Sequence, residues 1–213
     1  GDDEELKQFY AQLAEEHEIE FISDDLVALL NESKDGISRV KDIVQDLKDF
    51  SRTDSGEMTI VDVRTIIDKT LNLIHSEVKY SAELITDYGE LPEVEMVESQ
   101  IGQVILNLLV NASHAIEDKG TIKIRTIADI GNNNIEISVI DSGKGIEPEN
   151  IGKLFDPFFT TKPVGKGTGL GLSLSYGIIQ RHHGDIEVES EVGVGTTFKV
   201  TLPIKQPVTL DSE

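Results

Sequence analysis

No cysteine and no tryptophan occur in the 213 residues, and bases are scarce: 19 Lys and Arg stand against 40 Asp and Glu, a formal net charge of −21. The missing cysteines exclude disulfides and thiolate metal sites and suit a reducing compartment. The shortage of bases argues against non-specific binding to nucleic acid, which needs clustered Lys and Arg to neutralise phosphate. No apolar run approaches the roughly 20 residues of a membrane span, and no signal-peptide pattern opens the chain. Nucleic acid and membrane are therefore not expected partners, and the chain reads as cytoplasmic. The opening "GDDEELK" reads as a start inside a longer protein. Aromatics make up only 5%, yet 38% hydrophobic residues suffice for a core. An anionic ligand would have to be held by backbone amides, a metal ion and a few local bases rather than by net charge.

Two textures divide the chain. Residues 1–50 hold 15 acids against 5 bases, no proline, and Gly36 as their single glycine. Leu26, Leu30, Ser33, Ile37, Val40, Val44 and Leu47 recur at spacings of three and four, widened by Leu29, Ile43 and Phe50. This is a heptad seam over about three heptads and predicts helix–helix pairing. Ser23 with Asp24 and Asp25 supplies a cap, and a shorter amphipathic stretch (Leu6, Phe9, Leu13) precedes it. "SRTDSGE", residues 51–57, breaks the pattern.

From Met58 on, strand and helix patterns alternate. Asp62 caps a helix through Ser76, "AELITDYG" alternates as a strand, and residues 98–117 carry helical periodicity. "TIKIRTI" and "NIEISVI" read as a hairpin turning at Gly131–Asn134, and "DIEVESE" with "TTFKVTLPI" as a second one. Such neighbours predict an α+β fold, a mixed, largely antiparallel sheet with helices on one face. The expected divisions are a helical segment over 1–56, a sheet-containing domain over 57–205, and a disordered tail over 206–213.

Four stretches carry chemistry: "NLLVN" (107–111), "DSGKGI" (141–146), "GKGTGLGLS" (165–173) and "GVGTTF" (193–198). Gly165, Gly167, Gly169 and Gly171 alternate just before the helical run "LSLSYGIIQRHHG". A glycine-rich entry to a helix presents backbone N–H groups and the positive end of the helix dipole, which favour phosphate; the plainer reading is a mobile loop. Asn107 and Asn111, four apart, share a face of an otherwise apolar helix. Their amide oxygens suit a hard cation such as Mg²⁺ and their NH₂ groups suit phosphate; buried, hydrogen-bonded amides are the alternative. His114, one turn beyond Asn111, adds a donor or is an ordinary surface histidine. Asp141 ends a strand beside glycines that let a planar ligand approach, and a carboxylate there accepts from an exocyclic amine. Otherwise it simply opens a turn.

In this order the four stretches resemble the asparagine box and the three glycine boxes of the GHKL ATPase superfamily, and particularly of its histidine kinases. "LFDPFFTTK" (154–162) resembles the phenylalanine box of these kinases, and "RVKDIVQDLKDFSR" (39–52) the second helix of their dimerization hairpin. The likeness spans roughly residues 32–204. It implies a GHKL-type two-layer α/β sandwich preceded by a long, coiled-coil-like helical segment. It implies ATP and Mg²⁺ as cofactors, a homodimer in the intact protein, and the receiver domain of a response regulator as partner. Carried across by motif, Asp141 is the adenine-reading acid, with Gly143 and Gly145 in its turn. Asn111 is the principal Mg²⁺ ligand and Asn107 lies on the triphosphate side. His114 falls where a phosphate-contacting residue stands. Lys162, Gly167, Thr168, Gly169, Leu170 and Gly171 fall in the phosphate-covering lid and its borders, a segment expected to move. Thr196 or Thr197 supplies a hydroxyl to the adenine pocket.

One departure stands out. These kinases accept phosphate on a histidine in an HExxxP-like pattern, whereas His17-Glu18 is followed by "IEFIS" without proline. The acceptor is therefore expected upstream of this chain, which is then not expected to phosphorylate itself. Two rival readings remain: an ATP-hydrolysing clamp of the same superfamily, and a non-catalytic dimerization and nucleotide-sensing module. The clamps carry a glutamate general base where this chain has Asn107.

Overall fold

In "TIKIRTIAD" and "NIEISVID" apolar residues recur at every second position, and the computed structural model turns them inward. It describes residues 2–16, 21–22, 25–34, 36–37, 41, 56–79, 81–163 and 167–207. Two units divide the chain, Gly1–Ser51 with Lys162–Thr168, and Arg52–Thr161 with Gly169–Glu213.

In the first unit the described residues up to 41 are helical, while residues 162, 163, 167 and 168 belong to no helix or strand. Helix α1 spans Asp2–Glu16, steadied by an exposed Lys7–Asp3 pair at 3.4 Å, one turn apart. Residues 25–34 and 36–37 are also helical, with Leu26, Leu29, Leu30 and Ile37 of the heptad seam all exposed. The rest of the seam (Val40, Ile43, Val44, Leu47, Phe50), Ser23 and Asp24 of the cap, His17 and the break over 51–55 lie outside the described residues.

The second unit is a two-layer α+β sandwich. Its elements in chain order are β1 (Thr59–Val61), α2 (Val63–Val78), β2 (Ala82–Tyr88), β3 (Val94–Met96), α3 (Glu98–Ala115), β4 (Gly120–Asp129), β5 (Asn134–Asp141), α4 (Pro148–Ile151), α5 (Gly171–Arg181), β6 (Asp185–Glu191) and β7 (Gly195–Pro203). Five strands form one mixed sheet in the order β2-β4-β5-β7-β6, while β1 and β3 pair separately. The two predicted hairpins are present and antiparallel. Strand β2 instead runs parallel to β4, because α3 crosses over between them and returns the chain in the same direction. Asp62 caps α2 as expected, accepting from the Arg64 N–H at 2.9 Å. Gln206, placed by the sequence in a disordered tail, is anchored: its side-chain amide donates to the Glu95 carbonyl at 2.9 Å and its N–H to the Glu95 carboxylate at 3.1 Å.

Ile122 and Ile124 of β4, Ile135, Ile137 and Val139 of β5, and Phe198, Val200 and Leu202 of β7 meet Ile67, Ile105, Leu108, Leu109 and Ile178 from the helices in one buried cluster. Polar clasps at both ends bind α3 to α5 across it. At one end Asn107 of α3 donates its amide to the Gly171 carbonyl at 3.2 Å and to the Ser175 hydroxyl at 3.3 Å. At the other, His182, fully buried, accepts from the Val97 N–H at 3.1 Å through Nε2. Its Nδ1–H donates to the Ile178 carbonyl at 2.8 Å. Nε2 must be unprotonated to accept, so the fold needs the neutral ring.

Burial accordingly lowers the His182 pKa from its ordinary 6.5. A proton therefore prefers the unfolded chain, so this contribution to stability is complete above about pH 6.5 and is lost as pH falls below it. We expect the urea midpoint to drop between pH 7.5 and 5.5. In His182→Gln the midpoint should be lower at pH 7.5, since a buried donor left unpaired costs about 1–3 kcal/mol, and nearly flat over that range. An equal pH dependence in both proteins would remove His182 as its source.

Candidate functional site

Asn107, Asn111 and His114 lie along α3, whose apolar stripe (Ile101, Val104, Ile105, Leu108, Leu109, Ala112) is buried against the sheet. The two asparagines are half-buried and His114 is exposed. Asn107 reaches the first turn of α5, as described above. Gly171 begins that helix, so α3 meets the positive end of α5 at Asn107. Eight positions further on, Ala115 meets the loop after β5. The Lys144 N–H donates to its carbonyl at 2.9 Å, and a Cβ at Gly143 would stand 2.6 Å from both Cβ and the carbonyl oxygen of Ala115. Only glycine fits there. About 12 Å of helix separates the two contacts at 1.5 Å per residue, with Asn111 midway.

Asp141 ends β5 and is buried. Its carboxylate accepts the Gly143 N–H at 2.8 Å and is also hydrogen-bonded by the Thr196 backbone. Burial nevertheless raises its pKa, as desolvation disfavours the charged form. A carboxylate offers about four acceptor positions, so two backbone donors leave capacity for a ligand. In the β5–β7 register Asp141 stands opposite Thr196, and Ile140 opposite Thr197. Successive strand residues point to opposite faces. Thr196 therefore shares the Asp141 face, and Thr197 is turned to the other side of the sheet, which removes it from the expected pair. An open depression of about 500 Å³ lies at this end of the sheet, bordered by Thr121, Ile140, Asp141, Glu189, Thr196 and Thr197. Most of that lining belongs to the face away from the helices.

The loop of Gly143 and Gly145 is clamped from both sides. Ala115 holds it on the helix side, and on the other the Gly193 N–H donates to the Lys144 carbonyl at 2.8 Å. The Ile146 N–H donates to the Ser190 hydroxyl at 2.9 Å. Ser190 was not singled out by any motif; the available signal is a small polar residue on the inward face of β6. Gly169 stands with positive φ (71°) against Phe158, itself at 68°, and the Phe158 N–H donates to the Gly169 carbonyl at 3.0 Å. Leu170 is the N-cap of α5, and its carbonyl accepts from the Ser173 hydroxyl at 2.9 Å. Lys162, Gly167 and Thr168 group with the first unit, so their expected part rests on the sequence; Gly165 lies outside the described residues.

Residues 96–206 match the model of the histidine kinase-, DNA gyrase B- and HSP90-like ATPase family. The chain belongs to that family. Among relatives of this ATPase domain, the signal transduction histidine-protein kinase AtoS of Escherichia coli (strain K12) is 36% identical over 197 residues, covering 92% of this chain and 31% of that protein. The solved catalytic domain of the histidine kinase ThkA is 32% identical with a TM-score of 0.63, over 70% of this chain and 97% of that one. ThkA solved in complex with the response regulator protein TrrA gives 29% identity and a TM-score of 0.67, over 80% and 49%. The ATPase domain is thus of the kind that sensor histidine kinases carry, and its ligand is ATP. The chain spans between 19% and 38% of the length of the curated relatives it matches. Among the described residues no helix is long and apolar enough to cross a membrane.

Proposed function

We propose that the chain is the catalytic part of a sensor histidine kinase of the cytoplasm, where ATP is available. It binds Mg·ATP and transfers the γ-phosphoryl group to a histidine, from which an aspartate in a response-regulator receiver domain takes it. The observation that carries this reading is the span of α3. One stretch of helix has the Asp141 loop at one end and the start of α5, beside Asn107, at the other, with Asn111 between. Adenine against Asp141 and phosphates toward Gly171 fit that length.

Among the described residues no three His, Cys, Asp or Glu side chains gather to hold a metal. The donor set that remains, the amide oxygens of Asn111 and Asn107, suits Mg²⁺, which prefers oxygen ligands and commonly shares them with substrate phosphates. Mg²⁺ supplied with ATP would neutralise charge on the β- and γ-phosphate oxygens. The chain's own residues orient. Asp141 and Thr196 hold the base, and the N-terminus of α5 faces phosphate; Lys162, Gly167 and Thr168 keep the lid role that the motif resemblance gives them. In the transfer a histidine nitrogen lone pair forms a bond to the γ-phosphorus while the bond to the β,γ-bridging oxygen breaks and ADP leaves. Positioning and electrostatics supply the rate. The response-regulator partner is supported by the ThkA–TrrA complex; dimerization through the exposed Leu26–Ile37 stripe completes the proposal.

The hydrolysing-clamp reading is weaker because Asn107 stands where a general base is needed. An amide takes no proton from water, and this one already donates to α5. Calorimetric titration with ATP, with and without Mg²⁺, followed by incubation with γ-labelled ATP and a separate dimerization hairpin bearing a phosphoacceptor histidine, tests the proposal. Acid-labile, base-stable label on that hairpin is the expected result. Steady release of inorganic phosphate without labelled protein would favour the clamp, and ATP binding with neither product the nucleotide-sensing module.

A further inference from the structure

Ser190 joins three groups through one hydroxyl. It receives the Ile146 N–H at 2.9 Å, meets the Gly195 carbonyl at 2.9 Å, and lies 3.0 Å from the Thr196 hydroxyl. A serine hydroxyl has one hydrogen and two lone pairs. The Gly195 carbonyl can only accept, so the Ser190 hydrogen goes there. Otherwise two oxygens would face each other at 2.9 Å with no proton between them. One Ser190 lone pair takes the Ile146 N–H. The other is left for Thr196, whose hydrogen must then point at Ser190. Thr196, four per cent exposed and directly opposite Asp141 in the sheet, therefore has its hydroxyl hydrogen committed within the protein.

We propose that Ser190 is a positioning residue for base selection: by taking the Thr196 hydrogen it leaves Thr196 and Asp141 as an acceptor-only pair that favours a ligand edge bearing an amino group over one bearing a carbonyl. This rests on the reading that the Asp141 end of the site receives the base of ATP. Asp141 alone discriminates by lacking a donor when ionised. A neighbouring hydroxyl free to rotate would undo part of that, since it would turn its hydrogen toward a carbonyl at position 6. With Ser190 in place it has no hydrogen to turn. Side chains directly opposite on one face of an antiparallel pair lie about 5 Å apart, close enough to share one exocyclic group.

The test compares ATP with ITP, whose base carries a carbonyl where adenine carries the amine, by titration of the full chain in Mg²⁺. The parent is expected to prefer ATP at least tenfold. Ser190→Ala frees the Thr196 hydrogen and should narrow that preference at least fivefold, and Ser190→Thr, which keeps the hydroxyl, should restore it. A purely structural role would lower both affinities in proportion, and an unchanged ratio overturns the inference while leaving ATP binding in place. Thr196→Val keeps the question open to test should Ser190→Ala not fold. Loss confined to ATP supports an accepting hydroxyl, whereas a larger loss for ITP means that Thr196 donates to the ligand. A parent chain that binds neither triphosphate fails at the earlier step, the ATP reading itself.

Discussion

Asp141→Asn is expected to weaken ATP binding tenfold or more while thermal unfolding of the ligand-free chain changes little. The substitution replaces one of two acceptor oxygens by an NH₂ group and removes the charge. A hydrogen bond to a charged acceptor contributes about 1.5–3 kcal/mol, and about 1.4 kcal/mol is tenfold in affinity. Stability should behave differently. Burial raises the Asp141 pKa, so in the free chain the ionised carboxylate is a cost to folding once pH rises above that raised value. Removing the charge relieves that cost and offsets a weakened contact with the Gly143 or Thr196 N–H. ATP affinity in the parent should also fall on acidification sooner than a solvated aspartate would allow, because the protonated acid donates where adenine needs an acceptor. Nucleotide titration and a melting curve on the same preparation check both halves. Unchanged ATP affinity removes Asp141 from the base-reading role.

Asn111→Ala should abolish the gain in ATP affinity that Mg²⁺ brings, so that the ratio of affinities with and without the metal falls toward one. ADP binding without metal should stay close to the parent's. Asn107→Ala is the informative contrast. It opens the clasp on Gly171 and Ser175, so its first consequence is a lower melting temperature, with nucleotide affinity following the displacement of α5. If Asn111→Ala instead melts like Asn107→Ala and keeps its response to Mg²⁺, both amides serve the fold.

Local pattern carried much of this molecule. Strict alternation in β4, β5 and β7 announced strands with one buried face, and the spacing of Ile101, Ile105, Leu108, Leu109 and Ala112 announced α3. Pairings between distant segments were not readable in the same way. Three-residue strands such as "TIV" and "VEM" have too little pattern to show, and β2 finds a parallel partner only because α3 intervenes. The choice between Thr196 and Thr197 turned on the register with β5, since period two tells which residues share a face and not which face meets Asp141. In the sequence His182 is one of two adjacent histidines near a helix end, and no motif marks it. That it replaces a side-chain cap on α3 depends on where a helix begins 85 positions earlier. The shared face of Asn107 and Asn111 suits a ligand or the fold alike in the sequence, and in the structure the Asn107 NH₂ group is engaged by a neighbouring helix.

The backbone bond between Phe158 and Gly169 brings together the two ends of everything from 159 to 168. Such a closure separates the history of that segment from the history of its surroundings. Doubling the length of a closed loop costs only about 0.6 kcal/mol, and the strand end at Asp141, the face of α3 and the first turn of α5 are held by bonds that do not pass through it. Insertions, deletions and changes of composition can therefore accumulate between 159 and 168 without shifting the residues that meet the base. The base-reading end of the site is thereby uncoupled from the length of the chain between Phe158 and Gly169.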